Sequence, residues 1–193
     1  MGLELVSLDE FKAYKKITKD EDDPKLTIMI RSASELAKTY CRRSFVDYVD
    51  TDKVEYFDGD SLETLFLGEF PVISVSEVAV APDGVTYTAL TADEDYFIDY
   101  SVDAIRTADN LPFTIGSYPS FKSVKVTYRA GYSEVPEDVK IAVMDLVEYY
   151  RQEEYTPRKA FQDSSIENLG FREGGKASLP AHIKRVFEMY KAF

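Results

Sequence analysis

The period of the hydrophobic pattern changes within one stretch, KVTYRAGYSEVPEDVKIAVMDLVEYY, at residues 125–150. Before Gly131, apolar and polar residues alternate, which is typical of a strand with one buried face. After Pro136, apolar residues recur at three- and four-residue steps, which is typical of an amphipathic helix. Glu137 and Asp138 suit the positive end of that helix's dipole. The stretch therefore predicts a strand, a turn and a long helix, with the turn as a folding feature rather than a functional site.

Two more helices are predicted near the N-terminus. Ser7 and Glu10 form a capping-box pattern ahead of the short segment LDEFKAYKKI. Pro24 occupies a favourable first position for a second long helix over residues 24–40, in which apolar residues again recur every three or four positions. We expect the two long helices to pack together beside a small antiparallel sheet.

The middle of the chain is both acidic and strand-like. Residues 44–112 contain sixteen acidic residues against only Lys53 and Arg106, so this block holds nearly all of the net charge of −12. Its segments are rich in β-branched and aromatic residues and are separated by Asp-Gly pairs at 58–59 and 83–84, which are hairpin signals. We expect a β insertion at about residues 46–130 that does not track a nucleic-acid backbone.

These patterns together predict an α+β fold. Its helical core has two long helices and a short one, joined by a small antiparallel β domain or insertion and followed by a C-terminal arm or helix. The core is expected at residues 1–155 and the arm with its short helix at residues 156–193. At 193 residues the chain can bury roughly 70% of its unfolded surface without covalent staples.

The last 23 residues, 171–193, combine five basic and two acidic residues with several apolar ones. This composition favours a segment that places an apolar face in a groove while its basic residues meet an acidic rim. On this hypothesis, cutting the chain after Gly170 spares the fold and abolishes docking. A linker leading to a packed C-terminal helix fits the same composition.

Residue types that carry catalysis are scarce. The chain has one histidine, His182, and one cysteine, Cys41, at opposite ends, and no nucleotide-binding fingerprint. The carboxylate clusters at 20–23, 47–52 and 93–95 lack the spacing of a calcium loop. We therefore expect no catalytic residue, cofactor or metal, and a buried Cys41. A carboxylate pair for glycoside hydrolysis stays open, because the distance between two carboxylates is set in three dimensions.

No basic leader, long apolar run or myristoylation spacing is present, so we expect a soluble protein that no signal peptide exports.

Three short motifs occur in a fixed order along the chain. They are Tyr-Cys-x-Arg-x-Phe at 40–45, Pro-Val-x-Ser-Val at 71–75 and Tyr-x-Ala-Gly-Tyr at 128–132. In this order, over about residues 3–155, the chain resembles the tailed-phage head–tail connector family, whose members are adaptor or head completion proteins. The long acidic β block and the 38 residues after Tyr155 depart from the compact members of that family.

The resemblance implies a structural virion protein, made in the host cytoplasm, that forms a dodecameric ring beneath the portal in the neck. Its implied partners are the portal, a stopper or tail-completion protein and copies of itself, while DNA passes through without specific binding and no membrane is involved. The expected subunit interface is the second face of the helix over residues 24–40, with Arg31, Glu35, Lys38 and Arg42. The expected portal interface is the C-terminal segment, with Phe171, Arg172, Lys176, Leu179, Ile183, Lys184, Arg185, Phe187, Tyr190 and Phe193.

An alternative reading is a soluble binding module or a small carboxylate-dependent hydrolase. The connector reading is preferred because it accounts together for the scarcity of catalytic residue types, the uneven charge and the ordered motifs.

Overall fold

The computed structural model describes residues 3–59, 62–83, 85–113, 121–152 and 179–192. The chain divides into two compact units. The helical unit comprises Met1–Arg43 and Val135–Phe193, and the β unit comprises Ser44–Glu134. Along the sequence, the β unit is therefore an insertion in the helical unit.

The described part of the helical unit contains four helices: α1 (Leu8–Lys15), α2 (Asp23–Cys41), α3 (Glu137–Arg151) and α4 (Ala181–Met189). The capping box at α1 is present, because the Glu10 amide donates to Ser7 Oγ over 3.2 Å and the Ser7 amide donates to Glu10 Oε2 over 2.8 Å. Both α1 and α2 end at a residue in the left-handed conformation, Lys16 and Arg42, each with φ of 56°. The helix starts read from Ser7, Pro24 and Pro136 are confirmed.

The apolar stripes of these helices form one core. Helix α2 packs against α1, α3 and α4, and α3 also packs against α4. The buried residues recur at the spacing that the sequence shows, because only one side of each helix meets its neighbours. They include Phe11, Leu26, Ile30, Ala33, Ala37, Val139, Val143, Leu146, Val147, Ile183 and Phe187.

The described part of the β unit contains two antiparallel sheets. The four-stranded sheet has the order β1-β7-β3-β4 and the three-stranded sheet the order β2-β6-β5. The strands are β1 (Lys53–Phe57), β2 (Thr64–Phe66), β3 (Val72–Val80), β4 (Thr88–Ala89), β5 (Tyr96–Asp99), β6 (Ala104–Thr107) and β7 (Val124–Ala130). The α+β class is thereby confirmed.

The inner faces of the two sheets share one core. Val124, Val126 and Tyr128 alternate along β7 and are fully buried, and they cluster with Leu65 of β2 and Ile105 of β6. The alternation read from the sequence around residue 126 is therefore the inward–outward alternation of a central strand.

The strand-like pattern of the middle block overestimates the segment VTYTAL at residues 85–90, because only Thr88 and Ala89 of it are in a strand. The Asp83 carboxylate accepts the amides of Val85 and Thr86 over 2.9 and 2.7 Å. These two amides are held in a turn and are not available to a β ladder.

The two ends of the β unit are hydrogen-bonded to each other. The Tyr132 amide donates to the Phe45 carbonyl over 2.8 Å, and the Ala130 amide donates to the Tyr48 carbonyl over 3.1 Å. Gly131 has φ of 119°, and a Cβ atom at this position would lie 2.4 Å from the Phe45 carbonyl oxygen. Glycine is required here on both conformational and steric grounds.

The described part of the predicted arm lies in the helical unit. Helix α4 contributes Ile183 and Phe187 to the helical core, whereas the docking hypothesis left their face open for a partner. Of the two structures that fit the composition, the packed C-terminal helix is the one present. Residues 156–178 lie outside the described residues, so an arm in that part of the chain stays a prediction.

Candidate assembly surfaces

Helix α4 is held in the helical unit by its apolar side. Ile183 and Phe187 lie one turn apart and are fully buried. The Phe187 ring centroid is 6.0 Å from that of Tyr40 on α2. Burial of two large apolar side chains is worth about 1.5–3 kcal/mol each, which makes α4 part of the fold.

Polar contacts also fix the end of α4. The Tyr190 hydroxyl donates to both carboxylate oxygens of Asp138 on α3, over 2.9 and 3.0 Å. The Ala192 amide donates to the Cys41 carbonyl over 2.8 Å. Tyr190, expected at the portal interface, therefore already has a partner within its own chain.

The outward side of α4 is basic and partly apolar. Lys184 and Arg185 are exposed, as is Met189, with 64% of its surface accessible. Met189 was not among the expected interface residues, although its position four residues after Arg185 places it on the same helix face. Leu179 is half-buried, and the other expected portal residues, Phe171, Arg172, Lys176 and Phe193, lie outside the described residues. The portal-interface assignment stays a prediction.

Three of the four expected subunit-interface residues are accessible, two on the second face of α2 and one, Arg42, at its C-cap. Glu35 and Arg42 are exposed, and Arg31 Nε lies 3.3 Å from the Glu4 carboxylate. Lys38 differs from the expectation, because it is only 8% exposed and its Nζ donates to the Leu3 carbonyl over 2.7 Å. Its long aliphatic stem lets a charged residue at a buried position reach a backbone acceptor.

An exposed apolar residue, Ile28, extends the same face of α2 with 67% of its surface accessible. Sequence periodicity did not single it out, although it precedes Arg31 by three positions and so lies beside it.

The face of the four-stranded sheet that points away from the β core is a third surface. We call it the lysine–tyrosine face, which consists of Tyr56, Tyr87, Phe121, Lys122, Lys125 and Arg129. Tyr56 is 48% exposed and Phe121 is 65% exposed. Its exposed tyrosine, phenylalanine and arginine side chains are residue types enriched at protein interfaces.

Several members of the carboxylate clusters singled out in the sequence make local contacts. Asp20 and Asp23 both accept Lys12 Nζ, at 2.6 and 2.8 Å. In the loop after β4, Asp95 accepts the Thr91 amide over 2.7 Å. Within the described residues, no group of three His, Cys, Asp or Glu side chains is placed to hold a metal ion.

The cysteine and the histidine make separate contacts. Cys41 is fully buried, its thiol donates to the Phe187 carbonyl over 3.4 Å, and burial raises its pKa to about 12. Such a thiol is not a nucleophile at neutral pH. His182 is 68% exposed and lies 3.8 Å from Asp145 on α3, which also accepts Lys15 over 3.3 Å.

The β unit contains a buried polar network around Tyr128. The Tyr128 hydroxyl donates to Glu55 over 2.9 Å and accepts the Glu69 amide over 3.1 Å. Glu69 in turn accepts the amide and the hydroxyl of Ser44, and Lys53 lies 2.6 Å from Glu55. Burial raises the pKa of Tyr128, so the phenol stays neutral and acts as a hydrogen-bond donor.

No helix in the part of the chain that the structure describes is long and apolar enough to cross a membrane.

Comparison with known proteins gives matches over nearly the whole chain. A head completion protein of Escherichia phage T5 is 20% identical over 192 residues, which are 98% of this chain and 99% of the relative. In fold, the chain is similar to a protein in the virion of a native gene transfer agent particle, with a TM-score of 0.60, 15% identity and coverage of 98% of this chain and 90% of that one.

Two further fold matches come from neck structures of such particles. The neck of an empty particle computed with C6 symmetry gives a TM-score of 0.59 at 14% identity, over 98% of this chain and 90% of that one. The neck of a native particle computed with C12 symmetry gives a TM-score of 0.51 at 15% identity, over 100% of this chain and 96% of that one. The model of the head completion protein family matches residues 4–193, and the chain belongs to that family.

Proposed function

We propose that this head completion protein forms a ring beneath the portal, where it joins the DNA-filled head to the tail or stopper and lines the DNA passage. The observation that carries this proposal is the family match over residues 4–193, which includes both the helical and the β unit. The full coverage of the phage T5 relative supports a shared whole-chain role rather than one shared module.

A ring of twelve identical copies follows as the proposed assembly. The neck particles that the chain resembles in fold were computed with C12 and C6 symmetry. A closed ring needs a heterologous interface, in which two different surfaces of one chain meet. The exposed side of α2, with Arg31, Glu35 and Arg42, is one proposed part of that interface.

For the portal we propose contact with the basic outward side of α4 and the residues that precede it. Lys184, Arg185 and Met189 are accessible there, whereas Ile183 and Phe187 are buried in the fold. A charged rim with one flexible apolar side chain suits docking on an acidic partner surface.

DNA is proposed to pass without being held. The β unit contains seventeen acidic and five basic residues, so its average field repels a polyanion. The free protein is expected not to retain duplex DNA in a filter assay at about 150 mM salt, where the Debye length is about 8 Å. Tight retention that weakens steeply with salt would contradict this role.

The proposed role is structural rather than catalytic. The buried Cys41 thiol, the bonding of the carboxylates in caps and turns, and the family match favour it over a carboxylate-dependent hydrolase.

Electron microscopy of the protein mixed with the portal protein from the same source tests the proposal. A ring of density on the face of the portal, of the mass of about twelve chains, is the expected result. Light scattering of the protein alone should show mainly monomer in dilute solution. A stable dimer with a two-fold interface, or portal particles without added density, would contradict the proposal.

A further inference from the structure

The lysine–tyrosine face is built from four separate segments of the β unit. Tyr56 of β1 lies directly opposite Lys125 of β7, so their side chains share one face. The Tyr87 ring stands edge-on to Tyr56, with 6.1 Å between centroids. Lys125 Nζ lies 5.6 Å from the Tyr87 centroid, and Lys122 Nζ lies 5.8 Å from that of Tyr56.

Hydrogen bonds fix this arrangement in the free chain. The Tyr87 hydroxyl donates to the Lys122 carbonyl over 2.6 Å, and the Lys122 amide donates to Asp58 over 2.7 Å. Lys125 is held by Glu77 at 2.6 Å. Little side-chain entropy is therefore lost when a partner covers the face, which favours binding.

Charge is what distinguishes this face from the rest of the β unit. It contains three of the unit's five basic residues, Lys122, Lys125 and Arg129. Arg129 is paired with Asp52 over 2.7 Å, but within the described residues Lys122 Nζ has no carboxylate partner and lies over aromatic rings. The remainder of the unit has fourteen acidic residues outside Asp52, Asp58 and Glu77, and only two basic ones.

In a ring of such chains, like-charged surfaces repel each other, so a contact between β units needs one side that is not acidic. We propose that the lysine–tyrosine face of one copy binds the acidic side of the β unit of the next copy, head to tail. The inference rests on the proposed ring and assigns one of its interfaces. The acidic side includes Asp93 and Glu94 in the loop between β4 and β5, and Asp109 after β6, all of them exposed.

A second copy fits this face better than a nucleic acid does. Aromatic rings beside cations also suit single-stranded nucleic acid. Here, however, two of the three cations already have carboxylate neighbours, and the surrounding unit repels a polyanion over a Debye length. An acidic, partly apolar protein surface with a few well-placed carboxylates fits these cations without a dense phosphate charge.

Charge reversal in the full-length chain tests the contact. The variants Lys122→Glu and Glu94→Lys each place like charges against each other at the contact, and each should weaken ring formation on the portal about fivefold. An equimolar mixture of the two variants should restore rings, because each variant then meets an oppositely charged neighbour. The matched control is Lys25→Glu, the same change at an exposed lysine of the helical unit, which should leave assembly unchanged.

Introduced cysteines give a second, independent readout. Cys41 is the one cysteine of the wild-type sequence, and because it is buried with a raised pKa it should not react with diamide. In the variant Lys122→Cys with Glu94→Cys, diamide should take two electrons and two protons from thiols of adjacent copies and join them by a disulfide. A ladder of linked chains is expected on a denaturing gel, whereas Lys25→Cys with Glu94→Cys should give none.

The outcomes separate this inference from the proposed function. If the Lys122→Glu variant forms rings as well as wild type does and the double-cysteine variant gives no ladder, the proposed interface is wrong and the proposed ring still stands. If the wild-type chain forms no ring with portal, the proposed function fails, and a missing ladder at high protein concentration overturns the interface as well. Salt-sensitive retention of single-stranded DNA that Lys122→Glu abolishes would assign the face to nucleic acid instead.

Discussion

The helical unit and the β unit handle charge in different ways. The helical unit contains eighteen basic and eighteen acidic residues, and some of its ion pairs join different helices, as Lys15 with Asp145 and Lys140 with Glu10 do. The β unit has an excess of twelve acidic residues, and its core is a shared interior of two sheets. The helical unit is thus charge-balanced in itself, whereas the β unit is stable in spite of self-repulsion. The acidity of the β unit therefore does not help its packing, and in the proposed function it keeps DNA from binding.

The largest expected effect concerns the packing of α4 in the helical unit. Phe187→Ala removes a fully buried ring and should lower the free energy of unfolding by about 3–5 kcal/mol. Met189→Ala on the exposed side of the same helix is the control and should stay within about 0.5 kcal/mol of wild type. Denaturant titration followed by circular dichroism measures both. Equal stability of Phe187→Ala and wild type would show that α4 is an arm after all.

Truncation of the chain before α4 should destabilise the helical unit and leave the β unit unchanged. A chain ending at Gly170 lacks Ile183 and Phe187 and should melt several degrees lower, opposite to the result expected for a free arm. Hydrogen exchange should show lost protection in α2 and α3 peptides, while β7 peptides keep theirs.

The next effect concerns the polar interior of the β unit. Tyr128→Phe removes the hydroxyl that donates to Glu55 and accepts the Glu69 amide. The buried Glu69 amide then loses its partner, whereas the half-buried Glu55 keeps the Gly68 amide and Lys53. We expect a loss of about 1–3 kcal/mol in the free energy of unfolding. The same change at Tyr100, which is 57% exposed, should have almost no effect. A Tyr128→Phe variant as stable as wild type would mean that water replaces the hydroxyl.

A smaller, pH-dependent effect is expected at the start of α1. The Ser7 amide, the Ser7 hydroxyl and Lys140 lower the pKa of Glu10 below its ordinary value of 4.5. A lowered pKa means that the carboxylate stabilises the fold above the unfolded pKa and that this contribution is lost as the pH falls through the folded pKa. Ser7→Ala should therefore cost about 1 kcal/mol at neutral pH and less at acidic pH. A cost that does not change with pH would contradict the role of Glu10.

The smallest expected effect is a difference between the two units in how their stability changes with salt concentration. Screening weakens the ion pairs between helices, so the helical unit should lose a few tenths of a kcal/mol as salt rises. The same screening relieves repulsion among the carboxylates of the β unit, which should gain protection. Hydrogen exchange on peptides from each unit, at low and high sodium chloride, measures the two signs. A shift of the same sign in both units would mean that charge balance does not distinguish them.

Much of the fold could be predicted because it is written in short-range patterns. The capping box at Ser7, the proline-led helices and the alternation along β7 depend on neighbours within a few residues, and the structure confirms them. The family resemblance rested on three short motifs that lie at such places: the end of α2, the start of β3 and the turn after β7.

The surfaces were harder to predict, because exposure depends on residues far away in the sequence. Lys38 looked like an exposed charge, but the Leu3 carbonyl, 35 positions earlier, covers and binds it. Ile183 and Phe187 looked like a free apolar face, but α2 and α3 supply the groove within the same chain. The apolar stripe of a helix does not show whether the helix packs within its own chain or against a partner.

The lysine–tyrosine face was not predicted from the sequence. Its rings and cations come from β1, the loop before β4, the turn at 121–122 and β7, and strand pairing together with hydrogen bonds of the loops brings them together. In the sequence Lys122, Lys125 and Arg129 lie close together, but nothing there places Tyr56 and Tyr87 beside them.

The hydrogen bond between the Tyr132 amide and the Phe45 carbonyl has a consequence for how the sequence of such a chain can evolve. The β unit leaves the helical sequence and returns to it at neighbouring points, so the helices depend on the spacing of those two points and not on the length of chain between them. Strands and loops can be added, lost or recharged inside this closed segment without moving a helix. A scaffold interrupted in this way can keep its own fold while the inserted unit is fitted to a different neighbour.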